Sequence, residues 1–219
     1  MGVLTVKTPP TVEPISLKEA KDHLAITFDD HDAMVQGQIR AARRNLEWKY
    51  DRAFLTQTLV LTLDRFDQSK WISESFYGVS PSTWAMGLGV TWSMIELRPP
   101  VQSITSITYL DPSGATQTLA SANYTLDPGS EGSEARVYPA LNKIWPVVAL
   151  APAAIRIEFV AGFASPGLVP DDWKAALLLY LGHLYANREQ VVADARVVAV
   201  SLPMGVDALM GGYGQVLMR

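Results

Sequence analysis

The hydrophobic residues change period twice along the chain, and that restricts the fold more than any other feature. Val35, Ile39, Ala42, Leu46 and Tyr50 recur in steps of four, three, four and four, the stripe of one long helix. The opposite face carries Arg40, Arg43, Arg44 and Glu47, and the helix is expected to run to about Arg52. Leu59, Leu61 and Leu63 then alternate with Thr58, Val60 and Thr62, the period of a half-buried strand. Helical period returns after Pro170, with Trp173, Leu177, Tyr180 and Leu184 in one stripe and Leu178, Leu181 and Tyr185 widening it. A helix apolar over so much of its circumference is buried between partners, so it should pack on the helix ending near Arg52. The fold class that follows is α+β. It is a helical bundle of two long helices plus shorter ones, with a small antiparallel β-layer inserted and extended N- and C-terminal arms.

Local signals set the boundaries. Pro9, Pro10 and Pro14 make the first residues an extended arm. Ser16 precedes Glu19 by three residues, the spacing of a capping box, and Leu17, Ala20 and Leu24 continue a short helix to near Ile26. Asp29, Asp30 and Asp32 place negative charge at the start of the long helix. In the β region, Asp111-Pro112-Ser113-Gly114 is turn chemistry between the runs Ile104 to Leu110 and Thr116 to Leu119. Tyr124 with Leu126, Arg136 to Tyr138, and Ile155 to Phe159 complete about five or six strands. Pro170, expected at the first helical position, and Asp171 with Asp172 start the last long helix.

Four segments are therefore expected: 1–56, an arm and the first helices; 57–161, the inserted β domain; 162–192, the helix that completes the core; and 193–219, an apolar tail. Within the β domain, residues 64–94 are rich in Gly and Ser yet contain Trp71, Phe76, Tyr77, Trp84 and Trp92. Loops of that length are usually functional or disordered, and disordered ones rarely keep so many aromatics. The segment reads as an arm that packs outside its own core, and its aromatics are candidate contacts with a neighbouring subunit.

Composition removes several functions. The net charge is −4, so the molecule is not a general trap for nucleic acid. There is no cysteine, which excludes disulfides, thiolate nucleophiles and Cys-containing metal sites and fits a reducing compartment. No stretch approaches the ~20 apolar residues of a membrane span, so a soluble protein with no membrane partner is expected.

Catalytic motifs are missing as well. His31 lies among Asp29, Asp30 and Asp32, but no further ligands stand at a metal-binding spacing, and an acidic helix start is the simpler reading. His23 and His183 read as surface or core-edge residues. There is no Gly-x-Ser-x-Gly elbow. Gly87-Leu88-Gly89 and Gly211-Gly212-Tyr213-Gly214 lack the lysine and the strand-to-helix setting of a phosphate loop. No catalytic, metal or cofactor site is assigned, and the protein is expected not to be an enzyme. Arg40, Arg43 and Arg44 can share a helix face and are candidates for contact with a neighbouring subunit or with DNA; the simpler reading is a solvated face with a local pair to Glu47.

Several stretches, in this order, resemble the head–tail adaptor (connector) family of siphophages, prophages and gene transfer agents. They are Val12 to Lys21 with Leu24, Ala41 to Arg44, Leu55 to Thr58, Leu97 to Val101 with Ile104, Phe159 to Phe163, Pro170, Lys174 to Leu177, Tyr185 to Glu189 and Leu202 to Leu209. Residues 64–94 and the Gly-rich ending depart from the family pattern. The resemblance implies a ring of roughly twelve copies in the virion neck, assembled in the host cytoplasm. It would sit between the portal protein and a tail-side stopper or tail terminator, with DNA passing through its lumen without specific binding. It also implies that the C-terminal segment embraces the portal, a role falling here to Leu202, Met204, Val206, Leu209, Met210, Tyr213, Val216 and Leu217. Truncation at Ser201 is expected to abolish that attachment and leave the fold intact. The alternatives are a DNA-binding module using the Arg40, Arg43 and Arg44 face and, less favoured, a hydrolase.

Overall fold

The computed structural model describes residues 2–66, 94–129, 134–187 and 204–210. Two compact units emerge, one from Met1–Pro9, Gln57–Ser130 and Glu134–Ala161, the other chiefly from Pro10–Thr56 and Gly162–Arg219. The architecture is mixed helix and antiparallel sheet.

Among the described residues, the first unit holds eight strands in two sheets. β1 (Val3–Thr8), β2 (Gln57–Leu63), β8 (Ile155–Ala161), β4 (Val101–Leu110) and β5 (Thr116–Thr118) form a five-stranded antiparallel sheet in that spatial order. β3 (Ile95–Leu97), β7 (Ala135–Pro139) and β6 (Tyr124–Asp127) form the second. Leu59, Leu61 and Leu63 lie opposite Phe159, Ile157 and Ile155, so two alternating patterns meet on one face. A one-residue slip would turn that entire apolar row over, which pins the register. At the β4–β5 turn the Asp111 carboxylate accepts hydrogen bonds from the Ser113 hydroxyl and the Gln117 amide, as well as from the Ser113 and Ala115 backbone N–H groups. These bonds, Ser113 first, hold its carboxyl down to about 2.

Two expectations are corrected here. The N-terminus is not a free arm but the edge strand β1, paired along β2. The prolines that suggested an arm all follow the strand, and Val3-Leu4-Thr5-Val6 is itself β-prone. The β-layer is two sheets rather than one, because the three-residue β3 carries too little pattern to be read from sequence.

The second unit is helical. α1 (Leu17–Leu24) opens on the expected capping box: Ser16 Oγ accepts from Glu19 N at 3.1 Å, and Glu19 Oε2 accepts from Ser16 N at 2.6 Å. α2 (Asp32–Tyr50) and α3 (Asp171–Ala186) are the long helices, and α4 (Met204–Met210) is a short one. Pro170 is the N-cap of α3 rather than its first residue. Val35, Ile39, Ala42 and Leu46 from α2 join Trp173, Ala176, Leu177 and Leu181 from α3 in one buried core. Trp173 is flanked in it by the rings of Phe54 and Phe163, at 5.1 and 5.7 Å.

Gly162, at the junction from β8 to the helical unit, has φ +102°, and a Cβ there would stand 2.1 Å from the Leu55 carbonyl oxygen. The next residue explains the tightness. Phe163 N donates to Phe54 O, and Phe163 O accepts from Thr56 N, joining the chain entering the β region to the chain leaving it.

Candidate assembly interfaces

The arginines of α2 do not form one surface. Arg40 and Arg44 are exposed, whereas Arg43 retains 4% of its accessible surface. Its Nε and Nη2 donate to the Glu13 carboxylate at 2.7 and 3.3 Å, and its Nη1 donates to Glu47 Oε2 at 2.7 Å. Glu47, also buried, accepts the Phe54 backbone N–H with its other oxygen at 3.0 Å. Burial alone would lower the Arg43 pKa, but the bonds and charges of Glu13 and Glu47 outweigh it and hold the guanidinium above its ordinary value. Glu13 is the partner beyond α2 that binds the buried Arg43 guanidinium. It precedes α1 and reaches α2 from thirty residues away, a partner that helical spacing could not show. The candidate contact surface on α2 is thereby corrected to Arg40 and Arg44. Trp48 continues the same line at four-residue spacing and is 74% exposed.

α4 begins the expected portal-binding segment. Val206 and Met210 are buried in the helical core, Leu209 packs partly against it, and Val206 keeps no accessible surface. Lys49 Nζ donates to Asp207 Oδ1 at 2.6 Å, and the Tyr50 hydroxyl donates to the same oxygen. Lys49 and then Tyr50 hold the Asp207 carboxyl below its usual range, while burial and then Asp207 raise the Tyr50 phenol. α4 is thus clamped to the end of α2, and truncation at Ser201 would remove core side chains. The expectation that such a truncation leaves the fold intact is corrected accordingly. Leu202, Tyr213, Val216 and Leu217 lie outside the described residues, as do Trp71, Phe76, Tyr77, Trp84 and Trp92; of Met204 only the backbone is described.

The acidic cluster before α2 is an ion-pair junction. Lys21 Nζ reaches Asp29 at 2.6 Å and Asp32 at 2.7 Å, and His31 Nδ1 lies 2.9 Å from the Tyr185 hydroxyl. Among the described residues no group of three or more His, Asp or Glu side chains is arranged to hold a metal ion.

One surface has no counterpart in the sequence reading. Between β7 and β8, Leu141, Ile144, Val147 and Leu150 are 89%, 86%, 75% and 105% exposed, one aliphatic at every third position. The segment is fixed: Ala140 N donates to Asn123 O, Ala149 N donates to Leu110 O, and Trp145 stacks on buried Phe66 with ring centroids 4.6 Å apart. In sequence this stretch resembles any buried apolar run, and only its placement shows that these four side chains are exposed.

Residues 14–77 match the family model of the phage gp6-like head-tail connector protein. No curated protein matches the chain. Among solved structures, the chain is similar to one from the neck of an empty gene transfer agent (GTA) particle computed with C6 symmetry. That pair has 22% identity and a TM-score of 0.69, and the match covers 99% of this chain and 97% of that one. A chain from the virion of a native GTA particle has 23% identity and a TM-score of 0.68, with the same coverage. One from the neck of a native GTA particle computed with C12 symmetry has 22% identity and a TM-score of 0.66, covering 98% and 97%. The resemblance carried by the sequence therefore stands: residues 14–77 hold the pattern of the head–tail connector family, and the chain shares its fold with chains of gene transfer agent particles.

Proposed function

We propose that this chain is a structural head–tail adaptor of a tailed phage or phage-like particle. Copies of it form a ring in the virion neck, between the portal and a tail-side stopper or tail terminator, and extend the channel through which DNA passes. The observation that carries this reading is the coincidence of a connector sequence pattern in residues 14–77 with a fold shared over 99% of the chain with a GTA neck protein. A fold alone hosts many functions, and the family pattern supplies the role. The role is mechanical, and no residue is assigned to catalysis or to a cofactor.

Within this reading the portal contact belongs to the C-terminal segment. Val206 and Met210 anchor α4 to the core. Leu202, Met204, Leu209, Tyr213, Val216 and Leu217 supply apolar contact on either side of that anchor. Trp71, Phe76, Tyr77, Trp84 and Trp92 are assigned to the contact between neighbouring copies. Arg40 and Arg44 face the lumen or a neighbour, and Arg43 acts inside the chain.

Native mass spectrometry of the chain mixed with the portal protein of its own particle tests the proposal. A portal assembly carrying a fixed complement of this chain is the expected result. A folded chain that never joins the portal would overturn the adaptor reading.

A further inference from the structure

The five-stranded sheet ends in two strands that each pair on one side only, β1 at one end and β5 at the other. An edge strand carries a row of unpaired N–H and C=O groups, and the alternation of an antiparallel ladder fixes which residues carry them. At β5, Leu119 N donates to Ile107 O and Asp111 N donates to Ala115 O. Gln117 lies two residues from each of Ala115 and Leu119 and turns inward with them, so Thr116 and Thr118 turn their N–H and C=O outward. At the other end the phase comes from Leu110 N, which donates to Ala154 O in the β4–β8 ladder. Carried by alternation through β8 and β2, that phase turns Val60 and Thr62 toward β1, onto Thr5 and Val3. Leu4 and Val6 are left with their N–H and C=O outward.

Both edges are open. Every β1 residue is exposed except half-buried Leu4, and Val3 and Val6, on opposite faces of the strand, are 58% and 51% exposed. All of β5 is exposed. The devices that blunt an edge strand fall beyond Val6: the register irregularity at Lys7, the Lys7 charge, which is paired with Glu158, and Pro9. Val3–Val6 and Thr116–Thr118 contain neither charge nor proline. Copies of a chain of net charge −4 repel one another, which favours a seam on uncharged surface. A ring closed by rotation needs two different, complementary patches on each chain. The two edges are such a pair, at opposite ends of one sheet. Each pairing across that sheet is antiparallel, and with five strands β1 and β5 run in the same direction. Copies set side by side therefore meet in a parallel pair.

We propose that β5 of one copy pairs in parallel with β1 of the next, joining the five-stranded sheets of the ring into one belt. This rests on the adaptor reading and deepens it by naming a seam of the ring. The outward groups fit one register: Thr116 N–H donates to Leu4 O, Val6 N–H to Thr116 O, and Thr118 N–H to Val6 O, with Thr5 beside Thr116. β5 has three residues, so each seam is weak alone and depends on closure of the ring.

The absence of cysteine makes introduced thiols unique. A full-length Thr5→Cys, Thr116→Cys double variant and each single variant are assembled with the portal protein and treated with a short bismaleimide. Within one chain the two positions lie on opposite edges, roughly 19 Å apart at the spacing of sheet strands, so the reagent links them only between copies. The double variant is expected to give a ladder of covalent multimers, and the single variants to stay monomeric. A second variant, Thr118→Pro, removes an outward N–H and no bond of the β4–β5 ladder. Its melting temperature should be unchanged, and the concentration needed to fill the portal should rise at least roughly tenfold. Filled rings in which the double variant stays monomeric, or Thr118→Pro chains that fill the portal as the wild type does, would overturn the seam and leave the adaptor reading standing. Covalent dimers from Thr5→Cys alone would mean that two β1 edges meet about a two-fold axis, and would equally overturn it. No assembly with the portal by the wild-type chain would defeat the adaptor reading itself, and the seam with it.

Discussion

The guanidinium of Arg43 is held between two carboxylates, one of which also accepts a backbone N–H. Such a group gives little net stability over an apolar replacement of the whole cluster. Removing one partner is costly, because the charges left behind stay buried. Arg43→Met is therefore expected to lower the unfolding free energy by about 3–5 kcal/mol in urea titration, while Arg40→Met and Arg44→Met, both exposed, stay within about 0.5 kcal/mol. Gly162 is the second point of this kind. Alanine there meets both a left-handed backbone and the Leu55 carbonyl, so Gly162→Ala is expected to cost about 2–4 kcal/mol by the same titration. Residue-scale legibility follows sequence distance. The Ser16–Glu19 capping box and the possible Arg43–Glu47 pair were readable because both lie within one helical turn. Glu13 was not, since its approach to Arg43 depends on how the chain folds back over thirty residues.

Element-scale readings succeeded where an apolar period ran long enough. α2 and α3 are visible from their stripes, and β2 and β8 from their alternation. β1 was hidden by the prolines beyond its end, and β3 by its length. The docking of α4 was hidden, because it depends on Val206 and Met210 finding a core that no local pattern reveals. Its clamp can be tested through Asp207. The folded carboxyl lies below its usual range, so its stabilising contribution is complete above that range and is lost as pH falls through the lowered value. Asp207 is half exposed, so the effect is modest, at most about 1 kcal/mol. Asp207→Asn should raise hydrogen exchange across Met204–Met210 severalfold at neutral pH and leave the middle of α2 protected. Acidification of the wild-type chain below the ordinary carboxylate range should have a similar local effect. The same anchoring separates two truncations. Ending the chain after Met210 should abolish portal attachment with the melting temperature unchanged, whereas ending it at Ser201 should also lower the melting temperature, a difference that calorimetry reads directly.

At the scale of the molecule, the question is how an acidic chain relates to the DNA that the proposed neck position would bring past it. A DNA-binding module concentrates many cations on one surface, and its affinity falls with salt at a slope near −0.9 for each phosphate neutralised. On α2 the structure withdraws Arg43 from the surface and leaves Arg40 and Arg44 exposed beside Trp48. Two guanidiniums on a chain of net charge −4 can engage about two phosphates, a slope no steeper than roughly −2. That is too little for tight holding at physiological salt, and it suits a lumen through which DNA must slide rather than stick. The free chain is accordingly expected to show no saturable binding to duplex DNA in fluorescence anisotropy at 150 mM salt, a condition set by the ~8 Å screening length there. Any binding that emerges at low salt should follow the shallow slope and disappear in the Arg40→Ala, Arg44→Ala double variant. Tight binding with a slope near −6 would instead require a cationic surface elsewhere on the chain, and would restore the DNA-binding module as the better account of this protein.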